Sequence, residues 1–462
     1  MKYIDGSRIK DILDKARNIR SERVKDILNK SKELHRLTLE ETAVLLSLEG
    51  EENERAILST ASFVKNKIYG KRVVLFAPLY ISNVCSNYCT YCSFKADNNL
   101  FERKKLTQKE IARETNALLK AGHKRILMVA GENGSLDKGN ADFYVESIRT
   151  IYSERYGENR ISRINVNCAP LNEEGFKKLK KEGIGTYQLF QETYHDDTYK
   201  EVHPKGPKSD PDVRIEAIDK AFRAGIDDVG IGVLYGLYDY KFETLGLLMH
   251  TEHLEKTFGV GPHTISVPRV KPACGAEYTN NVPYKVSDKD FKKLIAIIRL
   301  SVPYTGIILS TRETPYLRDS LFDCGVSQIS AGSSTSPGGY SGSNEGDKNT
   351  QFILNDHRSL DGVVMSLIDG KLIPSFCTAC YREGRTGKTF MGFANTGTIK
   401  GKCAMNALIT LKEYLDDHSS EITRKKGYAL IDECKNNLNE DERKRLSKIF
   451  QDIDRGKRDE HI

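Results

Sequence analysis

The sequence VVLFAPLYISNVCSNYCTYC, residues 73–92, joins an apolar run to a polar loop that carries three cysteines. Residues 73–80 have the length and the content of Val, Leu, Phe and Tyr that are typical of a buried strand. The thiols follow at Cys85, Cys89 and Cys92, with three and then two residues between them. The fragment therefore predicts a strand that delivers three thiols at its carboxyl end.

Seven further apolar runs follow, separated by amphipathic segments, in the rhythm of alternating strands and helices. The eight predicted strands are residues 73–80, 125–130, 163–168, 187–192, 229–235, 264–270, 306–311 and 327–332. Eight such units over about 260 residues predict an α/β fold, a closed (β/α)8 TIM barrel, and an open doubly wound sheet is the alternative. In the barrel, the cysteine loop lies at the C-terminal mouth, where such folds keep their active sites.

The texture of the sequence divides the chain into three parts. Residues 1–70 are charged, nearly free of Pro and Gly, and apolar at helical spacing, which predicts a helical N-terminal extension. Residues 71–335 hold the predicted barrel. The Gly- and Ser-rich stretch SSTSPGGYSGSNEG begins at residue 333, and residues 336–462 then carry three more clustered cysteines and a charged tail. This last part predicts a small C-terminal domain with a helical tail.

Composition narrows the class of protein. Lys and Arg total 71 against 64 Asp and Glu, and the surplus is spread along the chain, which gives no sign of a nucleic-acid site. The beginning has no apolar signal segment, and no window is apolar enough for a membrane span, so we expect a cytoplasmic protein without a membrane contact. Thiols stay reduced in that compartment, and the ten cysteines are therefore expected to be metal ligands or reactive thiols rather than disulfides.

Three thiolates are an informative number. A 4Fe-4S cluster on three cysteines keeps one iron open to a small molecule, whereas zinc would need a fourth ligand, and none lies nearby in the sequence. The spacing, with Tyr91 just before Cys92, resembles the signature of the radical S-adenosylmethionine superfamily. The resemblance implies that S-adenosylmethionine binds the open iron of a cluster on Cys85, Cys89 and Cys92. An electron from the reduced cluster then releases a 5′-deoxyadenosyl radical.

The same resemblance implies roles for polar residues near the strand ends. Glu132, in the sequence AGEN after the second strand, matches the acid of the superfamily's Gly-Gly-Glu turn, with Ala130 in place of the first glycine. This acid accepts from the methionine ammonium group. Glu192 and Arg214 resemble the pair that holds the ribose and the carboxylate, and a solvated ion pair is the alternative. Tyr91 completes the predicted cofactor-binding set.

A second group of cysteines lies in the C-terminal part. Cys377 and Cys380 are two residues apart, and Cys403 follows after 22 more residues. A structural zinc with a remote histidine and a second, auxiliary 4Fe-4S cluster both fit this spacing. A radical S-adenosylmethionine barrel with this particular triad resembles the tyrosine lyases that mature FeFe-hydrogenases, from about residue 70 to residue 405.

This second resemblance implies an activity and its partners. The family cleaves the Cα–Cβ bond of free L-tyrosine to p-cresol and dehydroglycine, with electrons from a donor such as ferredoxin or flavodoxin. Carbon monoxide and cyanide then form at the auxiliary cluster, where a fifth iron is carried on a free cysteine and leaves for the hydrogenase with the help of other maturation proteins. His263, at the start of the sixth strand, is the candidate protein ligand of that iron, and capping of the strand end is the alternative.

Free tyrosine requires a cation for its carboxylate and a polar cradle for its amine. Arg312, in LSTRE after the seventh strand, occupies the position from which related aromatic amino-acid lyases bind the substrate carboxylate. An ion pair with Glu313 is the alternative. Tyr80 and Ser330 complete the predicted pocket, unless they merely line the barrel.

Two rival functions remain open. The tyrosine lyase of thiamine biosynthesis shares the barrel and the substrate but should lack Cys377, Cys380 and Cys403. A non-catalytic iron-sulfur scaffold would need neither Glu132 nor Arg312. If the chain is a hydrogenase-maturation lyase, the tyrosine fragment must travel from the barrel mouth to the second cluster. The two cysteine triads, at opposite ends of the catalytic domain, favour a channel for it through the lower half of the barrel.

Overall fold

The computed structural model describes residues 1–17, 21–100, 102–134, 140–342 and 349–462, with a parallel β-barrel at their centre. The strands are β1 (Arg72–Ser82), β2 (Arg125–Ala130), β3 (Arg155–Tyr156), β4 (Asn159–Arg160), β5 (Arg163–Asn167), β6 (Thr186–Gln188), β7 (Asp228–Gly232), β8 (Thr264–Ser266), β9 (Gly306–Leu309), β10 (Gln328–Ser330) and β11 (Ile373–Ser375). The short β3 and β4 form a separate antiparallel hairpin.

Closure of the sheet decides between the two predicted architectures. Eight strands pair in parallel in the order β1-β2-β5-β6-β7-β8-β9-β10, and β10 returns to pair with β1. The closing register aligns Val74 with Gln328 and Phe76 with Ser330. An open sheet would leave these two strands as edges. The predicted (β/α)8 barrel is therefore confirmed, and all eight predicted strands are present.

Four helices precede the barrel: α1 (Gly6–Lys15), α2 (Ser21–Lys32), α3 (Leu39–Ser47) and α4 (Glu51–Ile68). Their apolar faces belong to the same continuous core as the barrel, and α4 packs against a helix of the barrel's outer ring. In α3, Thr38 and Glu41 form a reciprocal capping box, which satisfies two backbone N–H groups at the start of the helix.

The outer ring follows the strands: α5 (Gln108–Ala121), α6 (Asp142–Ser153), α7 (Glu173–Lys181), α8 (Asp196–Val202), α9 (Pro211–Arg223), α10 (Tyr240–Phe258), α11 (Asp288–Ser301), α12 (Pro315–Ser320) and α13 (Leu360–Asp369). Short 3-10 turns span Pro207–Ser209 and Glu277–Asn280. The boundaries follow local chemistry. In α5, Thr107 caps the first turn, and Gly122 ends the helix in the left-handed region at φ 100°.

The chain after α13 folds against the bottom of the barrel. Strand β11 pairs with the first residues of β1, so that Arg72 aligns with Ile373 and Val74 with Ser375. It is followed by α14 (Ala379–Arg382), α15 (Gly387–Asn395), α16 (Ile399–Asp417), α17 (Glu421–Lys435) and α18 (Glu440–Asp454). The second cysteine group is thereby attached to the amino ends of the barrel strands by backbone hydrogen bonds. None of the described helices is both long and apolar enough to cross a membrane.

The lower layer of the barrel interior is polar, which the sequence reasoning did not predict. Its buried side chains include Arg163, Asn165, Gln188, Thr264 and Gln328. Gly230 gives them room, because a Cβ atom there would lie 2.5 Å from Thr264 Oγ1. TIM barrels usually fill this space with branched apolar residues. The interior between the two ends of this barrel is therefore suited to polar molecules.

Candidate functional site

The first cysteine loop follows the carboxyl end of β1 and is tied to the end of β2. Ser86 N donates to Glu132 O at 2.8 Å, and Cys92 N donates to Cys89 O at 3.2 Å. Burial raises the pKa of Cys89 to about 12 and that of Cys92 to about 11. These thiols therefore stay protonated at neutral pH unless a metal takes the place of the proton.

The three thiols surround a space rather than a point. With Glu132, Glu192, Arg214 and Tyr91 they line one cavity of about 100 Å³. Among the described residues, no three His, Cys, Asp or Glu side chains converge closely enough to share one metal ion. A multi-iron cluster holds its thiolates farther apart than a single ion does. The cavity that the three thiols border offers room for an iron-sulfur cluster, and their role as its ligands stays a prediction.

The turn after β2 depends on a glycine. A Cβ atom at Gly131 would lie 2.5 Å from Val84 O, and since backbone cannot yield as a side chain can, only glycine fits here. The close approach brings Glu132 to the cysteine loop, where its Oε2 accepts from Asn87 Nδ2 at 3.0 Å. Asn87, which the sequence analysis did not select, thus holds the carboxylate at the rim of the cavity.

Glu192 and Arg214 face each other inside this cavity and are not a solvated pair. Arg214 Nη2 lies 3.8 Å from Glu192 Oε1, and Arg214 Nη1 lies 3.6 Å from Glu132 Oε2. Glu192 has φ 70°, a left-handed conformation that is uncommon for a non-glycine residue and frequent at functional sites. The two carboxylates and the guanidinium thus form one buried charged network.

Lys208 is a second residue that sequence reasoning missed. Its Nζ lies 2.7 Å from Glu192 Oε1 and 3.0 Å from the Tyr91 hydroxyl. The Tyr91 hydroxyl is also 2.7 Å from His203 Nε2. His203 follows the end of α8, and Lys208 lies in the 3-10 turn before α9; the sequence of this segment carries no motif. Nothing short of the folded structure could have selected them.

A second cavity, of about 160 Å³, adjoins the first inside the upper barrel. Its lining includes Tyr80, Arg312 and Ser330, and it shares Cys92 and Gln351 with the cysteine cavity. The structure therefore brings the three predicted substrate residues together in the lining of one pocket beside the cysteine loop. Their roles stay predictions.

Arg312 has no anionic partner within the part of the chain that the structure describes. Glu313 binds Arg269 Nε at 2.9 Å and Lys271 Nζ at 2.9 Å, so the alternative ion pair with Arg312 is not formed. The Arg312 guanidinium instead stacks on the Phe352 ring, with its central carbon 3.3 Å from the ring centre. Burial lowers the pKa of Arg312. A cation desolvated in this way is ready to bind an anion that enters the pocket.

Tyr80 and Ser330 add polar groups to the wall of this pocket, on the neighbouring strands β1 and β10. The Tyr80 hydroxyl donates to Gln351 Oε1 at 2.7 Å, and burial raises the pKa of Tyr80. The Ser330 hydroxyl is buried without a hydrogen-bond partner among the described residues. An unsatisfied buried hydroxyl costs about 1–3 kcal/mol, which a polar ligand in the pocket would recover.

The second cysteine group lines a cavity of about 40 Å³ at the amino ends of the strands. Cys377, Cys380 and Cys403 are joined there by the His263 side chain. A hydrogen bond from Cys403, with help from Arg385 and Arg72, lowers the pKa of the Cys380 thiol. The structure thus brings the four predicted residues to one site, at the end of the barrel opposite to Cys85.

His263 stands between a carboxylate and this cavity. Its Nδ1 lies 3.3 Å from Asp228 Oδ1, and its Nε2 lies 3.0 Å from the Tyr381 hydroxyl. Metal-ligating histidines commonly have such a carboxylate on the nitrogen that faces away from the metal. Among the described residues, the imidazole has no hydrogen bond to a backbone group, and its role as an iron ligand stays a prediction.

Arginines that the sequence reasoning missed surround the second site. Arg125 Nη1 donates to Cys377 O at 2.9 Å, and the Arg163 guanidinium lies over the Tyr381 ring at 2.8 Å. Arg72 is half-buried and lines the same cavity. Positive charge at this density suits an anionic cluster or an anionic ligand.

Comparisons with known proteins agree with this geometry. A model of the Radical SAM superfamily matches residues 79–250, and a model of the Biotin and Thiamin Synthesis associated domain matches residues 266–372. A solved structure of HydG, a maturase of the FeFe-hydrogenase, is 47% identical, covers 100% of both chains and has a TM-score of 0.96. HydG from Carboxydothermus hydrogenoformans is 43% identical, over 96% of this chain and 97% of that one, with a TM-score of 0.83. The 2-iminoacetate synthase of Salmonella typhimurium is 32% identical over 72% of this chain and 84% of its own length.

Proposed function

The chain belongs to the HydG-type maturases of the radical SAM superfamily, and on that premise we propose that it is a tyrosine lyase that also forms carbon monoxide and cyanide. It cleaves the Cα–Cβ bond of L-tyrosine to p-cresol and dehydroglycine, and the diatomic products are built into an iron-carbonyl-cyanide precursor for the hydrogenase. The observation that carries the proposal is that the second cysteine group lines one cavity with His263, at the end of the barrel opposite to the first cysteine loop.

The cavity at the first cysteine loop holds the cofactors. Cys85, Cys89 and Cys92 bind a 4Fe-4S cluster, which with S-adenosylmethionine supplies a 5′-deoxyadenosyl radical. The charged groups of the same cavity match the charges of that cofactor. Glu132 accepts from its ammonium group, Glu192 from its ribose hydroxyls, and Arg214 donates to its carboxylate.

The adjoining pocket holds tyrosine. Arg312 donates to the substrate carboxylate, because its guanidinium is buried, fixed by stacking and free of an anionic partner among the described residues. Tyr80 and Ser330 face the amino group. Enclosure by the barrel wall excludes water from the reacting carbon atoms, which protects the radical from side reactions.

The lower cavity holds the second site and its cargo. Cys377, Cys380 and Cys403 bind an auxiliary 4Fe-4S cluster, and His263 binds a fifth iron that is carried on a free cysteine. Arg72 and the neighbouring arginines offset the negative charge of that assembly. Ferredoxin or flavodoxin supplies the electrons, and other maturation proteins receive the product.

Dehydroglycine passes from the upper pocket to the lower cavity through the barrel. The route runs past the buried polar side chains between the two cavities, among them Gln188 and Gln328, which line the upper and the lower cavity respectively. A small, polar fragment finds hydrogen-bond partners along this way, whereas p-cresol is bulkier and less polar.

A thiamine-type lyase is the second candidate, favoured by the similarity to 2-iminoacetate synthase. That function needs the upper pocket and not the lower cysteine site. The double variant Cys377→Ala/Cys380→Ala separates the two functions. It should produce p-cresol at the unaltered rate and no carbon monoxide, while Cys434→Ala, a cysteine outside both sites, should produce both. Carbon monoxide at the normal level from the double variant would exclude the role proposed for the second site.

A further inference from the structure

Gln351 lies in the wall between the cysteine cavity and the tyrosine pocket and lines both. Its backbone is held from two sides. Gln351 N donates to Thr335 O at 3.1 Å, and Gln351 O accepts from Ser93 N at 3.4 Å. The residue is therefore anchored to the chain that follows β10 and to the residue directly after Cys92.

The amide of Gln351 joins the two cavities by hydrogen bonds. Gln351 Nε2 donates to Cys92 Sγ at 3.8 Å, and Gln351 Oε1 accepts from the Tyr80 hydroxyl at 2.7 Å. Cys92 is a predicted ligand of the first cluster, and Tyr80 is a predicted substrate contact. One side chain thus connects a cluster thiol to the substrate wall.

The chemistry of the thiolate fixes the direction of this chain of bonds. An iron-bound thiolate has no proton and can only accept, so the N–H side of the amide must face Cys92. The carbonyl side of Gln351 must then face Tyr80. The Tyr80 hydroxyl uses its single O–H group to donate a hydrogen bond to Gln351 Oε1. The lone pairs of the Tyr80 oxygen are left to accept a hydrogen bond from the pocket. An ammonium group is the donor that suits them best.

The residues next to Gln351 contact Arg312, another residue that lines the pocket. The Arg312 guanidinium stacks on the Phe352 ring, and Asn355 Nδ2 donates to Arg312 O at 2.7 Å. A segment of five residues, 351–355, therefore touches the cluster loop, the hydroxyl that faces the amino group and the arginine that faces the carboxylate. We call it the 351–355 segment.

We propose that Gln351 is a positioning residue that acts on both cavities at once. Its N–H group stabilises negative charge on Cys92 Sγ and so raises the reduction potential of the first cluster, because hydrogen bonds to the sulfurs favour the reduced form. Its carbonyl group fixes Tyr80 as an acceptor for the ammonium group of an amino-acid substrate. This second role rests on the proposed function, and the first does not.

The test is a redox titration followed by electron paramagnetic resonance, in the Cys377→Ala/Cys380→Ala background so that the first cluster alone is observed. Gln351→Met, which keeps the length of the side chain and removes the N–H group, should lower the reduced-to-oxidised ratio at a fixed potential about tenfold. For one electron this equals a shift of about 59 mV to more negative potential. Tyr80→Phe and Asn355→Leu remove no hydrogen bond to a cysteine and should leave the potential unaltered.

Binding of tyrosine, measured by equilibrium dialysis with S-adenosylmethionine present, tests the second role. Gln351→Met and Tyr80→Phe should each weaken tyrosine about tenfold, since each removes one part of the same acceptor. The pattern to expect is that Gln351→Met alters potential and affinity, whereas Tyr80→Phe alters affinity alone.

Iron content and thermal stability show whether each variant is loaded and folded, and Gln351→Leu replaces Gln351→Met if the latter fails either check. An unaltered potential in a fully loaded Gln351 variant would overturn the first role. Unaltered affinity in that variant, with tyrosine weakened by Tyr80→Phe, would overturn the second. If the wild type does not bind tyrosine, the proposed function fails. The reduction potentials of the variants still test whether the hydrogen bond from Gln351 to Cys92 tunes the first cluster.

Discussion

Replacing Arg312 by methionine is expected to remove tyrosine cleavage while leaving the fold and both cysteine sites in place. The side chain makes no ion pair among the described residues, and its neighbour Glu313 keeps Arg269 and Lys271. No charge is orphaned by the change. The loss of stacking on Phe352 is worth about 1 kcal/mol of stability.

The effect on the reaction is far larger. A guanidinium fork gives the carboxylate two charge-assisted hydrogen bonds of about 1.5–3 kcal/mol each. Their sum is about 3–6 kcal/mol, and each 1.4 kcal/mol is tenfold, so kcat/KM for tyrosine should fall by about 10²- to 10⁴-fold. Arg312→Lys keeps the positive charge and loses the two-pronged guanidinium. Its kcat/KM for tyrosine should lie between the values of Arg312→Met and the wild type.

The assay follows p-cresol against tyrosine concentration under anaerobic conditions, with iron content and thermal stability as controls. Arg269→Met is the matched variant: it leaves Glu313 short of a partner and should lower stability instead. A loaded Arg312→Met protein whose kcat/KM stays within tenfold of the wild type would refute the assignment of Arg312 to the substrate carboxylate.

Three further predictions test other parts of the molecule. Cys85→Ala should abolish 5′-deoxyadenosine, p-cresol and carbon monoxide together, and product formation above background would contradict the cluster assignment. Val74→Phe, a bulky change in the wall of the lower cavity, should reduce carbon monoxide and release glyoxylate while p-cresol continues; an unaltered carbon monoxide yield speaks against passage through the barrel. Burial raises the pKa of Glu243 from 4.5 to about 8, so the native state holds a proton that the unfolded state has lost between these values. Stability should therefore fall as pH rises through that window, by up to about 1.4 kcal/mol per pH unit, and Glu243→Gln should flatten the slope in urea unfolding at pH 6 and pH 8.

The barrel was predictable because its signal is local. Each strand is an apolar run of a few residues, and the helices between the strands have their own period and caps, as Thr107 and Gly122 have in α5. The cysteine spacings and the acid of the AGEN turn are local as well. Short stretches of sequence thus sufficed for the architecture and for the selection of the two cysteine groups, each of which lines one cavity.

The partners of those residues depend on contacts between distant parts of the chain. Lys208 meets Tyr91 across 117 residues, and Gln351 meets Cys92 across 259 residues. Such pairings are set by closure of the barrel and leave no periodic trace in the sequence. Arg163 could not be predicted either, since an arginine within a barrel strand is ordinarily assigned to the surface. Strand β11 was missed because proline lies at its centre, and a proline ordinarily argues against a strand.

The most direct test of the whole account is one anaerobic assay of the iron-reconstituted protein. S-adenosylmethionine, dithionite and L-tyrosine are supplied, and 5′-deoxyadenosine, p-cresol and carbon monoxide are measured in the same reaction. The account predicts all three products. Absence of 5′-deoxyadenosine and p-cresol would contradict it, and p-cresol without carbon monoxide would leave the thiamine-type lyase in its place.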